Sequence, residues 1–377
     1  MALKTTMIRP IAVHFAISFL CVLLTTGCER PTSEDTTPPT SQPSAQTHIA
    51  TPESEAHNAD TDSPFAAHFP PAPELPPRPD TLRIAVISDI NRNYGSIGYS
   101  STVRAAVSDI VRRQFDFVLS PGDLVAGQRH GLNYDLMWKA FHYEVGDVFF
   151  DNHMEFIMAP GNHDASAFPQ HAEERRAYQL AFKDRKPKAP LLEGSHFPFY
   201  YAVSLKDVLI VALDITRPLS DDDPQLDWLE TLLLTHQNVR TTLVLGHLPL
   251  TPVNLKQFWA TAGSTRLIAL LRSRPNTIYI SGHHHVFYPG HLGELRTLAC
   301  PALGNNPRTI PGIPPYHGYV QITIPPHSPP QITALVAPDF TRTVDITQLP
   351  KNILQLERED IGMAEYLIEL LDASVEK

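Results

Sequence analysis

The chain from Thr81 onward alternates short apolar runs with longer segments of mixed polarity. Five of the short runs end abruptly in polar residues: LRIAVISD, FDFVLSPGD, MEFIMAPGN, TTLVLGHLP and TIYISGHHH. Strands that are apolar at successive positions are covered on both faces, because neighbouring side chains point to opposite sides of a sheet. The five runs therefore predict buried strands with a covering layer on each side.

Helices and hairpins are predicted in the segments between these strands. Four segments carry apolar residues at helical spacing: TVRAAVSDIVRRQF, DLMWKAFHYEVGDVFF, PQLDWLETLLLTH and TRLIALLRSR. FYYAVSLKDVLIVALD is typical of a hairpin that turns at Lys206 and Asp207, and GYVQITIPPHSPPQITALV of another that turns at its prolines. The pattern as a whole predicts an α/β fold, a two-layer β-sandwich flanked by α-helices.

Residues 1–28 have the pattern of an export signal. Lys4 and Arg9 precede the apolar run IAVHFAISFLCVLL, which is short for a membrane span. The following TTGC resembles the lipobox of bacterial lipoproteins, in which the cysteine is acylated after cleavage. We therefore expect a lipoprotein signal peptide over residues 1–28 and a membrane attachment through a lipid on Cys28. Ordinary cleavage near the same point and an uncleaved membrane anchor are the alternatives.

The expected location is the bacterial cell envelope, with the protein exported and lipid-anchored. Glu29 rather than Asp follows the cysteine, which favours the outer membrane or its periplasmic face if the cell is Gram-negative. Residues 29–80 hold 12 of the 36 prolines and few large apolar residues, so they predict a disordered tether. A folded domain is expected over residues 81–340.

The last segment, residues 341–377, is predicted to be a helical tail. NILQLEREDIGMAEYLIELLDA has the spacing of an amphipathic helix, with Gly362 as a break. Packing against the domain is the plainer interpretation of this helix. Contact with a partner or a membrane is the alternative.

Composition and charge exclude some classes of partner. The chain is 42% hydrophobic and 19% charged, which is typical of a globular protein, and its formal net charge is −10. Removal of residues 1–28 would take away two basic groups and leave a net charge of −12. No nucleic-acid partner is expected at this charge. Cys300 would have no cysteine left to pair with, so we expect it to be a small core residue.

Side chains that can bind metals follow all five predicted strands. They are Asp89, Asp123, Asn162 with His163 and Asp164, His247, and His283 with His285. Strand ends lie side by side in a sheet, and they therefore bring such side chains together. Mixed carboxylate, imidazole and amide ligands are typical of a site for Mn, Fe, Zn or Co. They are not typical of a structural zinc site, whose ligands are thiolates. A single Gly-Asp turn or strand-end histidine would mean little, so the prediction depends on the combination.

The order Asp-x-Asn, Gly-Asp, Gly-Asn-His-Asp, Gly-His and Gly-His-x-His resembles the calcineurin-like metallophosphoesterase superfamily. The resemblance runs from about Thr81 to Ala337. It implies a β-sandwich flanked by helices, two divalent metal ions and hydrolysis of a phosphoester substrate. In such a site a hydroxide bridging the two metals attacks phosphorus, and both metals neutralise the phosphate oxygens in the transition state.

The resemblance also implies a role for each matching residue. Asp89 would bind the first metal and Asp123 would bridge both metals. The second metal would be bound by Asn162, His247 and His283, and His285 would return to the first metal. In an extended segment His284 would point away from its two neighbours, so it is expected to be structural.

His163 and Asp164 are expected to be catalytic rather than ligands. By the resemblance, His163 would hydrogen-bond the phosphate and protonate the leaving oxygen, and Asp164 would orient its ring.

Asn91 departs from the family pattern, which has histidine at this position. Its amide oxygen is a harder ligand than imidazole, so as a ligand it would shift the first site toward Mn or Mg, and Mn is favoured among Mn, Fe, Zn, Mg and Co. A manganese-dependent branch that acts on ADP-ribose-like diphosphates has Gln there. The alternative is that Asn91 marks a degraded first metal site in a non-catalytic, metal-stabilised binding lipoprotein.

The motifs also favour one branch of the superfamily. GDLVAG and GNHD lack the Asp-Arg-Gly and the Glu of protein Ser/Thr phosphatases, and Ala126 stands where purple acid phosphatases have Tyr. The short remainder leaves no room for the extra domain of 5′-nucleotidases. GNHD resembles phosphodiesterase-like members, so a phosphodiesterase-like hydrolase is predicted. Candidates to bind the phosphate or the leaving group, or else to be solvated loop residues, are Arg92, Gln128, Arg129 and Arg217.

Overall fold

The computed structural model of the chain describes residues 69–73, 80–253, 261–310 and 313–350. Within them, two six-stranded sheets form. Sheet 1 consists of β1 (Leu82–Val86), β2 (Phe117–Ser120), β3 (Glu155–Met158), β10 (Gly318–Ile324), β11 (Gln331–Val336) and β12 (Arg342–Thr343). Sheet 2 consists of β4 (Tyr201–Leu205), β5 (Val208–Ala212), β6 (Thr241–Leu245), β7 (Thr277–Ser281), β8 (Tyr288–Leu292) and β9 (Leu295–Ala299).

Both sheets are mixed. The strand order is β12-β11-β10-β1-β2-β3 in sheet 1 and β4-β5-β6-β7-β9-β8 in sheet 2. β1, β2 and β3 are parallel, as are β5, β6, β7 and β9, while the remaining strands pair antiparallel. The carboxyl ends of the parallel strands therefore lie together at one edge of each sheet, where loops can form a site.

Helices cover the outer faces of the sheets. They are α1 (Ser101–Arg113), α2 (Tyr134–Phe141), α3 (Asp147–Asp151), α4 (Asn162–Ala165), α5 (Ala172–Phe182), α6 (Pro224–Thr235) and α7 (Thr265–Arg272). A π-helical turn, His142–Gly146, joins α2 to α3, so the predicted helix over DLMWKAFHYEVGDVFF is one helical stretch. The other three predicted helices are α1, α6 and α7.

Helix α5 was not predicted, although its sequence contains a signal. Tyr178 and Phe182 are buried and stand four residues apart, as on one face of a helix. The third buried position on this face is Glu174, a charged residue that interrupts the apolar pattern. A pattern search that counts only apolar residues therefore misses the helix.

Three apolar clusters explain why the predicted strands are apolar on both faces. Ile84 and Val86 of β1 lie between the sheets, in one cluster with Ile210 and Ile280 of sheet 2. Ala85, on the opposite face of β1, lies in a second cluster with residues of α1 and α2. The third cluster lies between the outer face of sheet 2 and helices α6 and α7. The predicted α/β sandwich flanked by helices is confirmed.

The two predicted hairpins are also present. β4 pairs with β5 through a turn in which Lys206 and Asp207 both have positive φ, 45° and 65°, as a two-residue type I′ turn requires. β10 pairs with β11 across the proline-containing loop. A further hairpin, β8 with β9, was not predicted, because Pro289 and Gly290 interrupt the strand pattern. Proline is tolerated in β8 because this strand lies at the edge of sheet 2.

The domain extends beyond both predicted boundaries. The tether was predicted to reach residue 80, yet Phe69 is fully buried between the sheets and lies 5.1 Å from the ring of Tyr316. The backbone N–H of Ala72 donates to the carbonyl oxygen of Thr341 at 2.7 Å. The proline-rich composition of this segment predicted a tether. Burial of one large apolar side chain, Phe69, is nevertheless enough to attach the segment to the domain.

The predicted helical tail begins with non-helical residues. β12 lies inside the range 341–377 and pairs antiparallel with β11, so the sheet continues beyond residue 340. The amphipathic segment proposed for the tail, the signal peptide, Cys28 and residues 29–68 of the tether lie outside the described residues.

Cys300 is buried in the cluster between the sheets, as expected of a small core residue. Among the residues that the structure describes, no helix has both the length and the apolar character needed to cross a membrane.

Candidate metal centre

Six predicted ligands converge at the carboxyl ends of parallel strands. They are Asp89 after β1, Asp123 after β2, Asn162 after β3, His247 after β6, and His283 with His285 after β7. Three of them follow strands of sheet 1 and three follow strands of sheet 2, so the cluster lies where the two sheets meet. Asp89, Asp123 and His247 are at most 1% exposed. Buried acids and imidazoles at such close range require either compensating protons or cations.

One group of donor atoms matches the ligand set predicted for the second metal. The Oδ1 atom of Asn162 lies 2.8 Å from Nε2 of His247 and 2.8 Å from Nδ1 of His283. The two nitrogen atoms lie 3.3 Å apart, and Nε2 of His247 lies 3.4 Å from Oδ1 of Asp123. Donor atoms bound at about 2.1 Å to one tetrahedral metal are separated by about 3.4 Å. Two of the four separations match this value and the two at 2.8 Å are shorter, so a divalent cation would fit between these side chains after a small outward shift of Asn162.

The two histidines of this group are prepared for metal binding. Nδ1 of His247 donates to the carbonyl oxygen of Pro121 at 3.0 Å, which leaves Nε2 as the ligand atom. Burial, followed by the neighbouring His247, lowers the pKa of His283 well below its ordinary value. A neutral imidazole is the form that binds a metal, so burial favours the binding form.

The second group contains the residues predicted for the first metal. Oδ1 of Asp89 lies 3.2 Å from Nε2 of His285, whose Nδ1 donates to the carbonyl oxygen of Asn306 at 2.8 Å. Burial alone would lower the pKa of His285, but the carboxylate of Asp89 raises it above its ordinary value. Donor atoms of Asp89, Asp123 and His247 all lie within 4.8 Å of one another. Asp123 thus stands between the two groups, where a bridging ligand is required.

Four of these residues adopt a left-handed backbone conformation. The φ angles are 49° for Asp89, 58° for Asp123, 63° for His283 and 56° for His285. Such angles are uncommon for residues other than glycine and occur at functional sites that the surrounding fold stabilises. The strand ends therefore turn sharply and direct these side chains to one point.

The prediction that His283 to His285 lie in an extended segment is wrong. β7 ends at Ser281, and Gly282 passes so close to the first strand that an added Cβ would lie 2.6 Å from Oδ2 of Asp89. The positive φ angles of His283 and His285 show that the chain turns here. His284 nevertheless has the structural role expected of it, because it is fully buried and accepts a hydrogen bond from Val253 N–H at 3.3 Å.

The amide nitrogen of Asn91, and not its amide oxygen, faces the metal centre. Its Nδ2 donates to the carbonyl oxygen of Val125 at 3.2 Å and to Oδ2 of Asp123 at 3.5 Å. Its Oδ1 accepts a hydrogen bond from Nδ2 of Asn305 at 2.9 Å. The oxygen predicted to bind the first metal is thus occupied by Asn305. In this arrangement Asn91 positions the carboxylate of Asp123.

His163 is placed to transfer a proton at the metal centre. Its Nδ1 donates to the carbonyl oxygen of Gly127 at 3.2 Å, and its Nε2 lies 3.9 Å from Oδ2 of Asp123. The side chain is 17% exposed, so a substrate can reach it. The hydrogen bond to Gly127 places a proton on Nδ1 of His163, and Nε2 is the nitrogen that faces the metal ligands.

Asp164 has a different role from the one predicted. Its Oδ1 accepts hydrogen bonds from the N–H groups of Leu124 and Val125, at 2.7 and 2.9 Å, and its Oδ2 accepts one from Gly161 at 2.9 Å. The carboxylate therefore joins the loop after β2 to the loop after β3 and does not orient the His163 ring. It is fully buried, and burial together with the neighbouring Asp123 raises its pKa.

Several residues of the site were not predicted from the sequence. They are Gly127, which holds His163, and the segment LGNN at residues 303–306, which contains Asn305 and Asn306. LGNN follows the apolar run of β9 in the same way that the five recognised motifs follow their strands. The same strand-end criterion would have found it. The backbone carbonyl of Gly127 carries no comparable signal.

The structure separates the four candidates for binding phosphate or a leaving group. The guanidinium of Arg129 lies over the ring of Tyr94, 4.1 Å from its centroid, and Tyr94 in turn lies beside His163. Arg217 donates to the carbonyl oxygen of Pro218 at 3.3 Å. Gln128 adopts a φ of 68°, and Arg92 is exposed. Arg129 is therefore the candidate that is connected to His163, through its contact with the ring of Tyr94.

Comparisons with known proteins identify the family and the fold of the chain. The family model for calcineurin-like phosphoesterases matches residues 82–287. A purple acid phosphatase from seeds of yellow lupin, Lupinus luteus, has a TM-score of 0.52 and 15% identity, with 71% of this chain and 54% of that chain covered. A dimetal phosphatase from Danio rerio has a TM-score of 0.45 and 15% identity, with 70% and 99% covered. A search of curated proteins gave no significant sequence match.

The family model covers more than half of the chain, and its range contains β1 to β7 with all six converging ligands. The structural similarity to the lupin enzyme supports the fold alone, because the identity is low, and the chain spans about half of that enzyme. The chain therefore belongs to the calcineurin-like phosphoesterase family, and it is a metal-dependent hydrolase of phosphoester bonds.

Proposed function

We propose that this protein is a lipid-anchored phosphodiesterase of the bacterial cell envelope. The observation that carries the proposal is the position of His163, whose Nε2 faces the ligand cluster 3.9 Å from Asp123 while Nδ1 is fixed by Gly127. A proton donor beside a two-metal ligand set is what cleavage of an ester with a poor leaving group requires.

Different residues of this chain have different roles in the proposed hydrolysis. Asp123 would bridge the two metal ions, with Asn162, His247 and His283 on one side and Asp89 and His285 on the other. When bound, the two metals supply an activated water and neutralise charge on the phosphate. In its imidazolium form His163 donates the Nε2 proton to the leaving oxygen and becomes the neutral Nδ1–H tautomer, whose Nδ1–H remains bound to the carbonyl of Gly127. Asp164 keeps the loops that bear Asp123 and His163 at a fixed separation.

The preference for diesters is supported by the motifs. GNHD resembles phosphodiesterase-like members, and GDLVAG and GNHD lack the residues of the protein phosphatase branch. Export and lipid anchoring are supported by residues 1–28, with Cys28 as the acylated residue. Mn, Fe, Zn, Mg and Co are the metals proposed, and the preference for Mn, which depended on the amide oxygen of Asn91 as a ligand, loses support because that oxygen binds Asn305.

A second candidate function is a metal-stabilised binding protein without catalysis. The observation that favours it is the hydrogen bond from Asn305 to Oδ1 of Asn91. If Asn91 does not bind the first metal, that ion has fewer protein ligands and would be held less tightly.

An assay of metal-depleted protein distinguishes the two functions. Its substrates are an aryl phosphodiester and an aryl phosphomonoester. Mn, Mg, Zn or no metal is added back, and His163→Ala and Asp123→Asn are measured beside the exposed and remote control His291→Ala. Metal-restored hydrolysis that both site variants abolish and the control retains supports the enzyme, and a higher rate for the diester supports the branch. Metal binding without hydrolysis of either ester would support the binding protein instead.

A further inference from the structure

Three side chains beside the metal centre are linked by ring contacts. The ring centroids of His163 and Tyr94 are 5.1 Å apart, and the guanidinium carbon of Arg129 lies 4.1 Å above the centroid of Tyr94. Tyr94 is 47% exposed and Arg129 is exposed as well. A solvent-exposed cation thus lies over an aromatic ring that contacts the proton donor.

The backbone on both sides of these contacts is fixed. The N–H of Gly127 donates to the carbonyl oxygen of His163 at 3.1 Å, so the segment that bears Arg129 also contacts His163. The hydroxyl of Tyr134 donates to the carbonyl oxygen of Arg129 at 2.7 Å and lies 3.0 Å from the buried carboxylate of Glu174. The backbone that bears Arg129 is therefore held beside His163, and the ring of Tyr94 is the group that contacts its guanidinium.

The N–H groups of Arg129 remain available. Among the residues that the structure describes, no carboxylate or carbonyl accepts a hydrogen bond from its guanidinium, whereas Arg175 donates to Asp214 at 2.6 Å. A guanidinium stacked on a ring keeps its donors in its own plane, free to bind a carboxylate or phosphate in a bidentate manner. The formal net charge of the chain is −10, so a local cation is needed to attract an anionic group here.

We propose that Tyr94 and Arg129 form a subsite for an anionic leaving group. The inference rests on the proposed function, because a leaving oxygen protonated by His163 lies within hydrogen-bond distance of a ring that contacts Tyr94. Arg129 binds a carboxylate or phosphate that the leaving group carries near the scissile bond, and Tyr94 positions Arg129. The preferred substrates are phosphoesters with a second anionic group on the leaving side.

Two matched diesters test the subsite: methyl 3-carboxyphenyl phosphate and methyl 3-carbamoylphenyl phosphate, which differ in the charge of the leaving group. For the metal-loaded protein we expect a kcat/KM about fivefold higher for the carboxylate, the upper end for an exposed ion pair. This preference should shrink as salt is raised, because salt screens exposed charges. Arg129→Gln should bring the ratio to about one, while the exposed control Arg176→Gln should keep it.

Substitutions of Tyr94 separate its positioning role from general damage. Tyr94→Phe retains a ring beneath Arg129 and should keep the fivefold ratio, whereas Tyr94→Leu removes the ring and should lower the ratio toward that of Arg129→Gln. Cleavage of both diesters at equal efficiency by the unsubstituted protein would overturn the subsite and leave the proposed function intact.

Failure of every metal to support cleavage of either diester would instead overturn the proposed function. In that case the dissociation constants of the same two compounds decide the subsite. Tighter binding of the carboxylate that is lost in Arg129→Gln supports it, and equal dissociation constants contradict it.

Discussion

The Nδ1 atom of His163 lies 3.2 Å from the carbonyl oxygen of Gly127, so the loop after β2 determines the direction of this imidazole ring. The next residue in the chain, Asp164, binds backbone N–H groups of two loops instead. Orientation of the proton donor and spacing of the loops are thus assigned to different groups, and their effects can be measured separately.

His163→Asn should lower kcat by about 10²- to 10⁴-fold, the range for loss of a general acid. The loss should be greatest for diesters of alkyl alcohols and smallest for nitrophenyl esters, because a good leaving group needs no proton. Rates over a series of leaving groups with different pKa values check this. An equal loss for all leaving groups would show that His163 binds phosphate without donating a proton.

Asp164→Ala should destabilise the protein as well as lower its activity. The three backbone N–H groups that donate to this carboxylate would be left buried without a partner. Each unsatisfied group should lower the free energy of unfolding by about 1–3 kcal/mol. The free energy of unfolding, measured by urea denaturation, gives the first quantity and kcat the second. A large loss of kcat with unchanged stability would instead support the ring-orienting role that the sequence suggested.

Asn91→Ala should leave two metals per chain but weaken their binding by about 10- to 100-fold, the usual effect of removing a group that positions a ligand. The structure gives the reason, since Nδ2 of Asn91 donates to Asp123 while Oδ1 is occupied. Elemental analysis after dialysis against graded metal concentrations measures both values. The exposed neighbour Asn93 provides the control substitution Asn93→Ala. A stoichiometry of one metal in Asn91→Ala would show that Asn91 is a ligand.

Phe69→Ala should cost about 3–5 kcal/mol, the range for a fully buried phenylalanine. Its side chain fills space between the sheets, against Tyr316. A chain that begins at residue 81 should therefore unfold at a lower temperature than one that begins at residue 66. Equal melting temperatures for the two chains would mean that residues 69–73 contribute nothing to the domain.

Stability should fall between pH 6.5 and 4 through His142. Burial, followed by the charge of Arg185, lowers the pKa of His142 from its ordinary value of 6.5 to about 4. In this window the unfolded chain takes up a proton on His142 that the folded chain does not, so acid favours unfolding. Unfolding free energies of the original protein and His142→Gln, compared at pH 7.5, 6.5, 5.5 and 4.5, isolate this effect. A difference between the two proteins that does not change with pH would contradict it.

The fold and most of the cluster could be predicted from the sequence because both depend on local patterns. Apolar runs such as the one before Asp89 mark strands covered on two faces, and the polar residue that ends each run must lie at a sheet edge. Helix α5 was missed because Glu174, a buried carboxylate, interrupts its apolar face.

The hydrogen-bond partners within the site could not be predicted in the same way. Asn305 binds Asn91 across 214 positions of the chain, and the partner of His163 is a backbone carbonyl that any residue would supply. The hydrogen-bond partner of a polar group depends on the distances between side chains and backbone groups, and these distances are determined by the packing of the loops. Residue type placed Asn91 and Asp164 at the centre correctly but could not give their roles.

The six converging ligands come equally from the two sheets, and this has a consequence for where the protein acquires its metals. A chain in which only one sheet has formed holds three ligands of the set, so it cannot compete for a metal as the finished domain does. The choice among Mn, Fe and Zn is therefore made in the compartment where the sheets come together. If the chain crosses a membrane unfolded, as its first 28 residues suggest, the metal supply outside the cytoplasm determines which ions the enzyme uses.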